Sequence, residues 1–128
     1  MSELLRFRSY RVRPASILTN SYVAGTVIEN AQNFNTVSLN IAFTKGSLSD
    51  ASVKIEVSND GVNYYQLCSD AVSNGVDTIK MLSYCLSADG NYSTTPLEIN
   101  AKYIKVSAIG TSTTTGSSMT IDVICSTN

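Results

Sequence analysis

The 128-residue chain contains no histidine and no tryptophan. Without histidine it lacks the commonest general base and the commonest transition-metal ligand. An enzyme built on this chain would have to run on carboxylates. The missing tryptophan weakens any sugar-stacking surface, which would fall to tyrosines. Charge is sparse, with 9 Lys and Arg against 10 Asp and Glu. No apolar run approaches the roughly 18 residues of a membrane span, and MSELLRFRSYRVRP at the start lacks the apolar stretch of a secretory signal. The cysteines Cys68, Cys85 and Cys125 are odd in number and irregular in spacing, so they form neither a disulfide framework nor a zinc pattern. Each sits in apolar, strand-like sequence, where a buried free thiol is expected, and a reducing cytoplasm follows as the folding compartment. A glycine-rich phosphate loop, a nucleophile elbow and a Cys/His pair are all missing.

What the chain does have is alternation. In TVSLNIAFT (36–44), Val37, Leu39, Ile41 and Phe43 share one face. SVKIEVS (52–58) repeats the pattern with Val53, Ile55 and Val57. YIKVSAI (103–109) does so with Ile104, Val106 and Ala108, and MTIDVIC (119–125) with Met119, Ile121, Val123 and Cys125. Period two marks strands with one buried face. Less regular strands are expected in YVAGTVIE (22–29), NYYQLCS (63–69) and VDTIKMLSYCL (76–86). No segment has a helical period with capping signals. Turn-like connectors (KGSLSD, NDG, SNG, ADGN and GTSTTTGSS) separate about seven or eight strands. The expectation is an all-β, antiparallel β-sandwich, jelly-roll or Ig-like, occupying residues 15–128 as one domain.

A basic N-terminal arm is expected over residues 1–14. All four arginines, Arg6, Arg8, Arg11 and Arg13, lie there with Leu4, Leu5, Phe7, Tyr10 and Val12, before Pro14. Three readings compete. It is an outer strand with arginines in water, an arm docked on a partner subunit, or a nucleic-acid contact. Arginine among aromatics is enriched at protein interfaces, which makes Arg6, Phe7, Arg8, Tyr10, Arg11 and Arg13 the candidate partner-binding residues. Nucleic acid is the weakest reading, because the rest of the chain is acidic and no nucleic-acid module is visible. A separable arm implies that removing residues 1–13 leaves a folded domain.

The aspartates at turns, Asp60 and Asp89 among them, are expected to cap their own backbone rather than pair for catalysis. SNDGVN is only a fragment of a calcium loop. Asp60-Gly61, between alternating apolar runs, is a strong hairpin signal, with Gly61 at positive φ; SADGN (87–91) is expected to be a second turn of similar chemistry. Tyr64, Tyr65 and Tyr92 near these turns are the candidates for an alternative, glycan-binding role. No catalytic residue, cofactor or metal ligand is expected.

VKIEVSNDGVNYYQL (53–67) resembles a pattern in which a strand ends in S-x-D-G and returns through an aromatic residue. AKYIKVSAIGT (101–111) looks like its companion strand. The pattern occurs in discoidin-like and immunoglobulin-like sandwiches and in small virion proteins of tailed bacteriophages. The resemblance implies a non-enzymatic virion protein, of the capsid decoration or auxiliary head type. Its implied partners are the major capsid protein or neighbouring structural subunits, in a symmetric homo-oligomer assembled in the host cytoplasm. A carbohydrate-binding sandwich for host attachment, or a neck, tail or head-fibre component, are the alternatives.

Overall fold

The computed structural model describes residues 7–127, with backbone alone at 69–73, 77, 78 and 80. The strands are β1 (Phe7–Ser16), β2 (Val23–Ala24), β3 (Thr36–Thr44), β4 (Asp50–Ser58), β5 (Tyr65–Gln66), β6 (Cys68–Ser73), β7 (Val76–Met81), β8 (Ser83–Leu86), β9 (Gly90–Ser93), β10 (Leu97–Glu98), β11 (Tyr103–Thr111) and β12 (Ser118–Ser126). One 3-10 turn, Ala31–Asn33, is the only helical element among the described residues.

Two antiparallel sheets pack face to face. The first runs β1-β12-β3, with β9 and β10 both on the far edge of β3; the second runs β2-β11-β4, with β5 and β8 both on the far edge of β4. The pairing is nested. First strand pairs with last, β2 with β11, β3 with β9 and β10, β4 with β8 and β5. A long antiparallel hairpin rolled up across two sheets gives this order, which is a jelly roll. An Ig-like sandwich would keep its first two strands in one sheet. The expected seven or eight strands become eight positions, two of them interrupted, plus a separate β6–β7 ribbon near the hairpin's midpoint.

The alternation read from the sequence is what fills the core. Val37, Leu39, Ile41 and Phe43 from β3 meet Val53 and Ile55 from β4, Ile104, Val106 and Ala108 from β11, and Met119, Ile121, Val123 and Cys125 from β12. Each is buried, and burying a side chain of this size contributes on the order of 1.5–3 kcal/mol. Leu18 and Leu48 close one end from the loops. Phe34 and Leu97 pack near the other.

Of the three thiols expected to be buried, only Cys125 is. Cys125 is buried, and burial pushes its thiol up to about 11, so it is inert as a nucleophile. Cys68 is half-buried, its Sγ donating to the Gln66 carbonyl at 3.2 Å. Cys85 is exposed, because it pairs with Ser52 at an outward position of an edge strand.

The two sheets are tied along one side. The Thr26 amide donates to the Val12 carbonyl at 2.8 Å, and the Gly25 amide to Val106 at 2.9 Å. A Cβ on Gly25 would overlap that Val12 oxygen. Gly25→Ala should therefore lower stability by about 1–3 kcal/mol, the usual cost of overpacking. A urea titration with an unchanged midpoint would disprove the role given to this contact.

Candidate functional site

The arginine-bearing segment is not a separate arm over its described length. Residues 7–13 belong to β1, an edge strand of the first sheet, so the boundary expected at residue 14 falls inside a strand. The segment is an outer strand, but not all of its arginines face water. Arg6 lies outside the described residues. From Phe7↔Ser126 to Arg11↔Asp122 the register with β12 is unbroken; it then shifts between Arg11 and Arg13, and again between Arg13 and Ser16.

The first shift decides what the arginines do. Under strict alternation Arg13 would follow Arg11 onto the outer face. The extra residue at the bulge instead sets Arg13 opposite Ile121, a core position. Val12 and Arg13 are both buried. The Arg13 guanidinium donates to the carbonyls of Met119 (3.1 Å), Ser16 (3.2 Å) and Ile17 (2.9 Å). Burial lowers its pKa, yet a guanidinium stays charged. Arg13 thus acts as a structural clamp within its own chain. A deletion through residue 13 would remove most of β1 and would not leave the domain intact.

Arg11 lies on the outer face, where its Nε and Nη2 donate to the two Asp122 oxygens at 2.9 and 3.1 Å. The hydrogen-bonded carboxylate raises the guanidinium's pKa. Arg8 stacks 5.1 Å from the Tyr10 ring centroid on the opposite face. Phe7 is 72% exposed. Phe7, Arg8 and Tyr10 line a groove of about 710 Å³ with Glu29, Asn30, Asn33 and Phe34. Asn30, at φ 60°, takes the left-handed conformation that asparagine tolerates. Nothing in the sequence paired residues 29–34 with the first strand, because the sheet-to-sheet tie brings them together.

The Asp60 turn is self-contained. Asp60 Oδ1 accepts from the amides of Val62 and Asn63, both at 2.8 Å, and from the Ser58 hydroxyl at 3.0 Å; Oδ2 accepts from Asn63 Nδ2 at 2.9 Å. The Ser58 Oγ in turn accepts from the amide of Gly61 at 2.9 Å. These donors hold the carboxyl well below its ordinary range, the Asn63 amide first. Gly61 has φ 76°, and a Cβ there would press on the Tyr103 ring at 3.2 Å. The loop is longer than two residues, Val57 pairing with Tyr65 across it. SADGN is not a second such turn. It carries the chain from β8 in one sheet to β9 in the other, and Asp89 accepts from the Lys45 amide at 2.7 Å.

The tyrosines are not gathered on one surface. Tyr64 lies under the Lys105 ammonium, 4.0 Å from its ring centroid, so a cation already occupies one ring face. Tyr65 stands exposed on β5 of the second sheet. Tyr92 is on β9 of the first, its hydroxyl donating to Ala88 at 2.7 Å. Tyr22 is covered likewise by Lys54 at 4.2 Å. Among the described residues no group of three or more Cys, Asp or Glu is placed to hold a metal ion, and no helix is long and apolar enough to cross a membrane.

Exposed apolar side chains mark a further feature. The β6–β7 ribbon pairs with itself in register from Cys68↔Met81 to Ser73↔Val76 and joins neither sheet. Val76, Ile79 and Met81 on it are 60%, 76% and 67% exposed. The only hint in the sequence was the loose alternation of VDTIKM.

No protein-family model matches the chain. No curated protein sequence matches it either. Solved structures share its fold. The SPBc2 prophage-derived protein YomS is 12% identical, with a TM-score of 0.58 over 99% of this chain and 98% of that one. A chain from the disulfide-linked pili of Bacillus endospore appendages is 10% identical, with a TM-score of 0.54 over 98% and 91%. A chain of the infectious bursal disease virus VP2 subviral particle is 12% identical, with a TM-score of 0.47 over 99% of this chain and 34% of that one.

Two measurements follow from this geometry. Arg13→Met strands three carbonyls at the sandwich edge and should cost about 2–3 kcal/mol, whereas Arg11→Ala, at an exposed pair, should change the urea midpoint far less. Equal losses would refute the clamp. For Asp60, a carboxyl held low in the fold stabilises fully above its unfolded value of about 3.9 and loses that contribution as pH falls below it. The difference in urea midpoint between wild type and Asp60→Ala should be constant above that pH and narrow beneath it; a difference that stays flat on acidification would rule out this carboxylate network.

Proposed function

We propose that this chain is a non-enzymatic structural subunit of a phage virion, of the capsid decoration or auxiliary head type, that binds neighbouring virion subunits. The observation that carries the reading is the projecting ribbon. A two-stranded ribbon is marginal in water unless its apolar residues are covered, and Val76, Ile79 and Met81 stand mostly exposed. Soluble monomers seldom display such groups together without a binding role. Asp60 and Arg13, the polar residues that stand out in the sequence, are both committed to the fold. Likeness in fold to a prophage-derived protein across nearly the whole of both chains supports the same reading.

In this reading the ribbon inserts against a neighbouring virion protein, such as the major capsid protein. The exposed part of β1, with Phe7, Arg8, Tyr10 and Arg11, offers a second contact surface. Each contact is small, and repetition over a symmetric particle multiplies them through avidity. No cofactor takes part.

The test uses particles purified from the host that carries this gene. Ile79→Asp with Met81→Asp should leave the fold and melting temperature nearly unchanged, since both side chains are exposed, and should cut cosedimentation with particles at least tenfold. Normal cosedimentation of the double variant, or absence of the wild-type chain from purified particles, would overturn the reading.

A further inference from the structure

The outer edge of β1 is guarded along one half and open along the other. Two register shifts, Pro14 and the Thr26-to-Val12 hydrogen bond occupy its second half. Bulges, proline and covering segments are the devices that keep an edge strand from pairing with another chain. Among the described residues none of them is present from Phe7 to Arg11, where the register with β12 is regular and Phe7, Arg8, Ser9 and Arg11 are exposed. Its charges, which would otherwise discourage pairing, are already engaged. Arg11 is bound by Asp122 and Arg8 rests on Tyr10.

We propose that this open edge pairs antiparallel with the same edge of a second copy of the chain, about a two-fold axis at Ser9, continuing the first sheet across a dimer. The sequence of the edge selects that register. A two-fold perpendicular to the sheet keeps each residue on its own face, so only a residue-centred axis is allowed. Centred on Ser9, Arg8 faces the partner's Tyr10 and Phe7 faces the partner's Arg11. Both arginines of the paired stretch, Arg8 and Arg11, then face an aromatic ring, a favourable cross-strand pair. Centred on Arg8 or Arg11, like charges stand directly opposite, which is unfavourable. Centred on Tyr10, pairing must reach Val12, whose carbonyl is already taken by Thr26. The Ser9 register alone covers Phe7 without opposing like charges. Isologous two-fold contacts of this kind are the commonest way soluble chains dimerise. The inference makes a second copy the occupant of the β1 surface that the virion reading also uses, and its test is read on the chain in solution, apart from particle binding through the ribbon.

A residue on a two-fold axis faces itself, which gives the test a distinctive signature. In the full-length chain, Ser9→Arg and Ser9→Glu should each weaken dimerisation at least tenfold by sedimentation, and mixing the two variants should restore it. Ser9→Cys in a Cys85→Ser background should oxidise to a covalent dimer, because opposed residues lie about 4.5–5.5 Å apart at Cα. Ala15→Cys, on the guarded half, should not. A chain that is monomeric up to millimolar concentration overturns the proposal, including one that dimerises only after residues 1–6 are removed. A dimer that tolerates both charges at Ser9, or that cross-links through Ala15→Cys instead, overturns it as well.

Discussion

One extra residue in the first strand sets the form of this molecule. The bulge at Val12 and Arg13 breaks the two-residue period of β1 and turns a guanidinium inward. There Arg13 donates to three carbonyls, of Met119 in the neighbouring strand and of Ser16 and Ile17 at the end of its own. The same bend lets the Val12 carbonyl accept the Thr26 amide, so the sheets are joined where the chain crosses between them. Gly25 is needed at that crossing because a side chain would occupy the space of the hydrogen bond. A buried charge is costly unless its donors are used, and here the clamp and the tie support each other.

The outer surface reflects the same division. Charged groups on the sheet faces are neutralised locally. Arg11 lies on Asp122, and Lys54 and Lys105 lie on tyrosine rings. Uncovered apolar groups stand instead on the ribbon, at Phe7, and at Ile17, Val62 and Tyr65 in the loops and short edge strand. A jelly roll confines its own core between two sheets, so contacts with other molecules fall to edges, ribbons and loops.

The Asp-Gly turn shows why a polar motif need not be a site. Asp60 has the composition of a ligand loop, but both its oxygens are taken by donors within three residues. Gly61 serves two ends, a left-handed backbone and a seat for the Tyr103 ring. The similar letters of SADGN do something different, because β8 and β9 belong to different sheets and a crossing cannot close a hairpin.

The core strands β3, β4, β11 and β12 were legible in the sequence because each alternates without interruption, and a half-buried strand needs nothing else to be recognised. Their nesting into a jelly roll was not legible, since alternation records a buried face but not the neighbour across the sheet. Nor was the fate of the arginines. Arg11 and Arg13 are chemically equivalent in the sequence, two residues apart, and period two puts them on the same face. Only pairing with β12 shows the inserted residue that separates them, leaving one at the surface and the other inside. The exposed groups at Ile79 and Met81 were hidden for a related reason. An apolar residue in an alternating strand reads as core, and it becomes surface only when the strand finds no sheet to join. Local sequence by itself determined the four core strands and the turn that closes on itself. Long-range pairing decided which polar and apolar side chains remain for a partner, because hydrogen bonds between distant strands set the register and the register sets the face.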